Sequence, residues 1–228
     1  MSDPKRILLL GATGLVGRKA IARGRMLPGI SLTALARREL ELPRGGWASQ
    51  VNAPASEWPA AIGLIAPDAV ICALGTTQAK SGRAGLAAVD RDLVLDAARA
   101  ARLAGARQFV LVSSVGADPA ARAFYLRIKG EAEAGLRGLG FARLDILRPG
   151  LLRGERAQEA RPAERIAQAL SPLADMLLWG AMRRYRSIGA GTVAAAALQA
   201  ARGAGEGVFV HEYSGLRELA ARLPVARV

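Results

Sequence analysis

Residues 7–24, ILLLGATGLVGRKAIARG, contain the pattern that decides the fold. Four aliphatic residues run into three glycines spaced three apart, Gly11, Gly14 and Gly17, and a helical pattern comes next. A strand that passes through such a turn into a helix is the setting of a dinucleotide-binding fingerprint. Three glycines alone are weak evidence because glycine is common. Their position directly after the first predicted strand favours a nucleotide-binding turn over a purely structural one.

Each position of this turn favours glycine for a different physical reason. Gly11 lets the chain turn sharply off the strand, Gly14 lets a pyrophosphate approach the backbone, and Gly17 lets the helix pack close to the strand. The start of the helix then presents free N–H groups and partial positive charge to the phosphates. The other residues expected to form this cradle are Thr13, Leu15 and Val16.

Short aliphatic runs alternate with helical patterns over the first 150 residues. Six strands are predicted, in RILLLG, SLTALARR, WASQVN, DAVICALG, QFVLVSS and FARLDILRPG. Helices are predicted at 14–27, 84–104 and 123–140. Unbroken aliphatic strands are typical of a parallel sheet that is covered on both faces. The alternation therefore predicts an α/β fold with a Rossmann-like, doubly wound parallel sheet.

The regular alternation ends after Pro149. Residues 151–187 combine charged segments with an apolar stretch at 166–182 that Pro172 interrupts. After them come a helix at 190–202, a short strand in GVFVHEY and a terminal helix at 215–222. This part is too short for an independent domain. We therefore expect one domain over residues 1–228, in which 151–228 form a small substrate-capping region at the carboxyl edge of the sheet.

Two arginines end the second predicted strand, Arg37 and Arg38. Sites that prefer NAD place an acidic residue there to bind the ribose hydroxyls of the adenosine. Arginines instead supply charge-assisted donors for a 2′-phosphate. Because Glu39 comes only after both arginines, the sequence predicts NADP(H) as the cofactor.

Tyr125 and Lys129 are four residues apart and so share one helix face. Ser113 and Ser114 end the fifth predicted strand, at the edge where a nicotinamide would lie. A tyrosine needs a neighbouring ammonium to exchange protons near neutral pH, and a serine hydroxyl can hold a carbonyl oxygen. A tyrosine and a lysine at this spacing are common by themselves. Downstream of the glycine turn and the serines they indicate a reductase site.

Composition limits the alternatives. The net charge is +13, but the arginines are spread along the whole chain, so we interpret the charge as compositional and do not expect nucleic acid as a partner. The densest basic stretch is RRYR at 183–186. With one cysteine and one histidine, Cys72 and His211, no metal site is expected, and Cys72 is expected in the core. No apolar stretch reaches membrane-spanning length, so a cytoplasmic protein is expected. The sequence does not determine the oligomeric state.

Several motifs together resemble the atypical branch of the short-chain dehydrogenase/reductase superfamily, in the group of Tat-interacting oxidoreductase-like proteins. They are GATGLVG, LARR, ALGTT, VDRD, LVSSVGAD, YLRIKGEAE and LRPGLL, and they cover about residues 5–155. The resemblance implies a Rossmann fold that binds NADPH, with Tyr125 as acid/base. It implies that Lys129 supports Tyr125 and the nicotinamide ribose, and that Ser114 orients the substrate, with Ser113 as the weaker candidate. The further cofactor contacts that it implies are Leu74, Gly75, Pro149 and Leu152, besides Ser113, Tyr125 and Lys129.

The sequence departs from this superfamily pattern at two places. Asn52 and Ala53 stand where an aspartate near the adenine is usual, so shape and backbone are expected to hold the adenine. Asp90 stands where many members have a relay asparagine. The leading hypothesis is an NADPH-dependent reductase of a small carbonyl or quinone-like substrate. The alternative is a non-catalytic NADP(H)-binding regulatory or assembly protein.

Overall fold

A computed structural model of the chain describes residues 3–25, 27–42, 48–154 and 178–224. Its main sheet has seven strands, all parallel, in the order β3-β2-β1-β4-β5-β6-β9. These strands are β1 Lys5–Leu10, β2 Ile30–Ala36, β3 Ala48–Asn52, β4 Ala69–Cys72, β5 Gln108–Val112, β6 Arg143–Leu147 and β9 Gly207–His211. A separate pair consists of β7 Leu152–Arg153 and β8 Ile188–Gly189.

Helices cover both faces of the main sheet. They are α1 Leu15–Gly24, α2 Trp58–Ile65, α3 Gln78–Ala87, α4 Leu93–Leu103, α5 Phe124–Arg137, α6 Ala190–Arg202 and α7 Tyr213–Arg222. A π-helical turn at Ala88–Asp92 joins α3 to α4, and 3₁₀ turns occupy Ala55–Glu57 and Gly180–Tyr185. Among the described helices none is long and apolar enough to cross a bilayer.

The aliphatic strands form two cores because successive side chains point to opposite faces of a sheet. Ile7 and Leu9 pack on the side of α1, α6 and α7, whereas Leu8 and Leu10 pack on the side of α2, α4 and α5. All four side chains are at most 1% exposed. The Rossmann-like, doubly wound sheet predicted from the alternation is confirmed.

The strand order places a crevice beside β1. The chain runs outward from β1 through β2 to β3, then crosses back to β4 on the other side of β1. Ligands of doubly wound sheets bind at such a switch point, outside the carboxyl ends of the strands. The glycine turn after β1 and the loop after β4 flank this crevice, which brings Gly11 beside Ala73 and Leu74.

The structure corrects the predicted elements at several points. Helix α2 was not predicted, and the single helix expected at 84–104 is instead the end of α3, the π-helical turn and α4. Strand β9 joins the main sheet beside β6, and α6 packs against α1. The predicted boundary that assigned 151–228 to a capping region stays a prediction. Most of the apolar stretch at 166–182 lies outside the described residues.

Candidate functional site

The turn after β1 has the geometry that its three glycines predict. Gly11 has a φ of +83°, and a Cβ atom there would overlap the backbone carbonyl of Ala73 after β4. A Cβ on Gly17 would overlap the backbone of Gly11 and Ala12, so the glycine allows α1 to pack onto the end of β1. Both positions therefore need glycine for structural reasons.

Gly14 lies at the start of α1 and differs from the other two glycines. It is the N-cap residue of α1, and no described side chain caps the helix. A Cβ on Gly14 would lie 3.2 Å from the Gly11 carbonyl oxygen, a tight contact but not an overlap. The helix thus begins with uncapped N–H groups at a backbone without a side chain, which is the surface that a pyrophosphate requires. These residues fit a dinucleotide.

The predicted arginines come directly after β2. Arg37 and Arg38 are both exposed, and no ion pair among the described residues includes either of them. Gln50 of β3 donates to the carbonyl oxygen of Arg38 and accepts from the N–H of Leu40, which holds the chain after β2 against β3. The guanidinium groups are therefore free to face an anion at the carboxyl edge of the sheet.

Lys129 lies at the centre of the predicted catalytic group. Its side chain is 3% exposed, and its Nζ atom lies 2.8 Å from Asp90 Oδ1. Nζ is also 3.5 Å from the carbonyl oxygens of Leu74, in the loop after β4, and Val112, at the end of β5. Burial alone would lower the pKa of Lys129, but the charges of Asp90 and Tyr125 outweigh it, and the pKa is raised. The lysine therefore carries its proton at neutral pH.

Tyr125 and Ser114 are the more accessible members of the group. Tyr125 lies one helical turn before Lys129 on α5 and is 38% exposed, so its ring can reach a ligand in the crevice. Ser114 is half-buried in the loop after β5, and among the described residues its hydroxyl makes one contact, at 3.3 Å to the carbonyl oxygen of Val115. Its hydroxyl is thus available to a ligand.

The two predicted serines differ sharply in their surroundings. Ser113 is 5% exposed and donates to Glu133 Oε1 at 2.5 Å, while Arg148 binds both carboxylate oxygens of Glu133. Ser113 therefore ties the end of β5 to α5 and to the residue after β6. This environment favours Ser114 as the serine that meets a substrate. A cofactor contact of Ser113 stays a prediction.

The loops around the crevice also hold the other predicted cofactor contacts. Leu74 and Gly75 come after β4, and a Cβ on Gly75 would lie 3.4 Å from Asp90 Oδ1 and 3.9 Å from Lys129 Nζ. The absence of a side chain at Gly75 leaves the lysine and the aspartate open to close approach. Pro149 accepts from the N–H of Val115, which places the loop after β6 beside Ser114.

The structure also gives the positions of Leu152, the last predicted cofactor contact, and of Cys72. Leu152 begins the small strand β7, and the adjoining Gly154 packs against Leu15 of α1. Cys72 is completely buried at the end of β4, as expected, and this burial raises the pKa of its thiol to about 11. A thiol with so little thiolate at neutral pH is a poor nucleophile.

Sequence reasoning missed Glu133 and did not foresee how closely Asp90 is engaged. A signal for Glu133 was available, because Tyr125, Lys129 and Glu133 are spaced four apart and share one face of α5. The contact between Asp90 and Lys129 depends on the π-helical turn that aims Asp90 inward. No periodicity in the sequence indicates that turn.

Comparison with known proteins agrees with this geometry. The family model described as NAD(P)H-binding matches residues 11–171. Protein fmp52, mitochondrial, of Emericella nidulans is 38% identical over 170 residues, which are 71% of this chain and 72% of the relative. Protein HTATIP2 of Rattus norvegicus is 37% identical over 172 residues, 72% of this chain and 69% of the relative. The resemblance found from the motifs is confirmed.

Solved structures share the fold at low sequence identity. The Bordetella bronchiseptica enzyme WbmH in complex with NAD⁺ superimposes with a TM-score of 0.69 at 17% identity, covering 95% of this chain and 79% of the other. A putative NAD-dependent epimerase/dehydratase from Bacillus halodurans gives a TM-score of 0.65 at 22% identity, covering 96% of this chain and 100% of the other. The preference for NADP and the cytoplasmic location stay predictions, since these structures are named for NAD and the fungal relative as mitochondrial.

Proposed function

The chain belongs to the NAD(P)H-binding family, and from this premise we propose that it is an NADPH-dependent oxidoreductase that reduces a small carbonyl or quinone-like compound. The observation that carries the proposal is the grouping of Ser114, Tyr125 and Lys129 at the carboxyl edge of β4 and β5. An accessible phenol, a buried ammonium and an available hydroxyl lie next to the crevice where the glycine turn would hold a dinucleotide.

The choice of NADPH rests on the residues after β2. Arg37 and Arg38 offer two guanidinium groups and no carboxylate at the position that faces the adenosine ribose in this fold. A 2′-phosphate carries the charge that such a pair binds, whereas a ribose hydroxyl gains little from it.

The cofactor and the side chains of this protein have different roles in the proposed reduction. A bound reduced nicotinamide would supply the hydride for this chemistry. The Ser114 hydroxyl donates a hydrogen bond to the substrate oxygen, and Tyr125 donates the proton that this oxygen needs as the carbon is reduced. Lys129 keeps a positive charge beside Tyr125 and reaches the space that Gly75 leaves open.

We propose a small molecule, rather than nucleic acid, as the partner. Many arginines are already engaged with carboxylates of the chain, including Arg6 with Asp68, Arg91 with Glu131 and Arg107 with Glu206. An arginine paired in this way offers less to a phosphate backbone than its contribution to the net charge suggests.

The test is the Tyr125→Phe variant, assayed by NADPH oxidation against a panel of aldehydes, ketones and quinones. Loss of a general acid costs roughly 10²–10⁴-fold in rate, so we expect turnover to fall at least a hundredfold while NADPH still binds. Tyr213→Phe, on α7, is the control and should retain full turnover.

Two results would contradict the proposal. A substrate that Tyr125→Phe reduces at full rate would show that the proton comes from elsewhere. If no compound is reduced and Tyr125→Phe leaves the cellular activity intact, the chain is a non-catalytic NADP(H)-binding regulator.

A further inference from the structure

The ammonium of Lys129 is bound by a carboxylate from outside its own helix. Asp90 lies in the π-helical turn between α3 and α4 and is 1% exposed. Its Oδ1 atom lies 2.8 Å from Lys129 Nζ, and its Oδ2 atom accepts the N–H of Thr76 at 2.8 Å. Asp90 therefore joins the loop after β4 to α5 across the floor of the crevice.

The contact with Lys129 has the character of an ion pair. No well-directed hydrogen bond of the described residues reaches Asp90 Oδ1, although the ammonium is close to it. The remaining neighbours of Nζ are two carbonyl oxygens at 3.5 Å, those of Leu74 and Val112. Asp90 is thus the one negatively charged group that touches the lysine within the described residues.

Resting on the proposed function, we propose that Asp90 is a positioning residue for the reduction. As the counter-ion of the buried Lys129, it keeps the lysine protonated. It also leaves Tyr125 beside an ion pair instead of a lone ammonium. Neither the glycine turn nor the arginines after β2 supply a negative charge to Lys129. The superfamily pattern places a neutral asparagine at this position, whereas this chain has a carboxylate there.

The physical need for such a counter-ion arises from burial. Moving an ammonium out of water favours its neutral form, and a carboxylate in contact opposes that shift. The titratable groups that face Lys129 are Asp90 from the π-helical turn, Tyr125 from α5 and Cys72 from β4. Cys72 is a protonated thiol at neutral pH, so Asp90 provides the standing negative charge.

The pairing also affects the electrostatic field at Tyr125. A carboxylate at 2.8 Å from Nζ cancels part of the ammonium's field at the tyrosine, because the two charges act as a dipole. Asp90 therefore moderates the positive field at the residue that is proposed to donate the proton.

The test measures the titration of Lys129 directly and requires no substrate. The chain has only four lysines, so ¹³Cε-lysine labelling gives four NMR signals, and the loss of one signal in Lys129→Met assigns Lys129. In the wild type we expect the pKa of Lys129 to lie above the ordinary lysine value, because the adjacent Asp90 outweighs the effect of burial. In Asp90→Asn its midpoint should fall by about two units or more, because burial then acts unopposed.

Asp92→Asn is the matched control. Asp92 belongs to the same turn and loses the same charge, but it is half-exposed and pairs with Arg91. It should leave the Lys129 midpoint unchanged. An unchanged midpoint in Asp90→Asn would overturn the proposal, and so would an equal shift in both variants.

A double variant keeps the test decisive if Asp90→Asn unfolds. Asp90→Asn with Lys129→Met removes both charges, so its loss of stability should be clearly smaller than the sum of the two single losses. Additive losses in denaturant unfolding would overturn the pairing.

Binding of NADPH supplies a second readout. In Asp90→Asn the NADPH affinity should fall as the pH rises through the new Lys129 midpoint, whereas wild-type affinity should stay level over that range. Level affinity in the variant would contradict the role proposed for Asp90. Because neither titration nor binding needs turnover, failure of this inference is distinguishable from failure of the reductase function, which the Tyr125→Phe assay tests separately.

Discussion

Replacing Arg37 and Arg38 together by alanine should remove the preference for NADPH over NADH. Both guanidinium groups are exposed, so their attraction to a phosphate is partly screened by water. Two unit charges 4 Å apart attract by about 1 kcal/mol in water and about 4 kcal/mol at a protein surface of lower effective dielectric. For two exposed arginines we expect the lower part of this range, a total of about 1–3 kcal/mol.

This energy corresponds to a roughly tenfold to hundredfold difference in dissociation constant between NADPH and NADH in the wild type. The double variant should lose affinity for NADPH by that factor and bind NADH almost as before, because the 2′-phosphate is the only group that distinguishes the two. The preference should also shrink as salt is added, since exposed charges are screened. Fluorescence titration with each cofactor, at low and at high salt, measures all of these quantities.

Arg25 and Arg137 provide the matched control. Both are exposed, and both lie at or after the carboxyl end of a helix, at the edge of the sheet opposite the crevice. Replacing both with alanine removes the same net charge from the protein and should leave the preference for NADPH intact. Equal affinity of the wild type for the two cofactors would refute the assignment, and so would a preference that survives in Arg37→Ala/Arg38→Ala.

Two further predictions test the turn and the fold. Gly14→Ala should weaken NADPH binding at least about tenfold, because its Cβ would project where the phosphates approach and would lie 3.2 Å from the Gly11 carbonyl oxygen. Gly63→Ala in α2 has open space around the new Cβ and should bind as the wild type does; equal binding by both variants in titrations would mean that the turn is only structural. The second prediction is that Asp145 affects the stability of the fold in acid. Burial would raise the pKa of Asp145, but hydrogen bonds from His211 and Arg143 outweigh that effect and hold the pKa below 3.8. A carboxyl group whose pKa is lower in the folded than in the unfolded protein stabilises the fold at pH values above its unfolded pKa. This contribution is lost as the pH falls through the folded pKa. Below about pH 4 the wild type should therefore lose stability more steeply than Asp145→Asn. Thermal melts from about pH 7 to about pH 3 measure this, and parallel curves for the two proteins would contradict it.

The fold could be predicted from the sequence because local and global signals agree. Strand β1 ends in four aliphatic residues directly before Gly11, and strands such as β4 and β5 repeat an apolar run ahead of a helix. Helix α2 escaped prediction because its segment, WPAAIGLI, is short and apolar with a proline at its start. Such a segment has no polar face to reveal a helical period. Pro59 is tolerated there since the first turn of a helix needs no donor from it.

The relative position of two candidate site residues could be predicted because one helix determines their spacing. Tyr125 and Lys129 share a face of α5 because four residues make about one helical turn, and this relation is visible in the sequence. The distinction between Ser113 and Ser114 was not visible, since it depends on Glu133 and Arg148 meeting beside β5. Contacts among three separate elements depend on packing, and the sequence near each residue does not encode them.

The position of Asp90 shows how a local irregularity can decide the electrostatics of a site. A regular helix from α3 to α4 would give each residue a hydrogen bond four positions back, whereas the π-helical turn at Ala88–Asp92 admits an extra residue and rotates the start of α4 relative to α3. Asp90 is buried within that turn, and its two oxygens are used by Thr76 and Lys129. A buried carboxylate is costly unless both of its oxygens are engaged, and a buried ammonium is costly without a counter-charge. Each group thus meets the need of the other, and the irregular turn is what brings them together at the crevice.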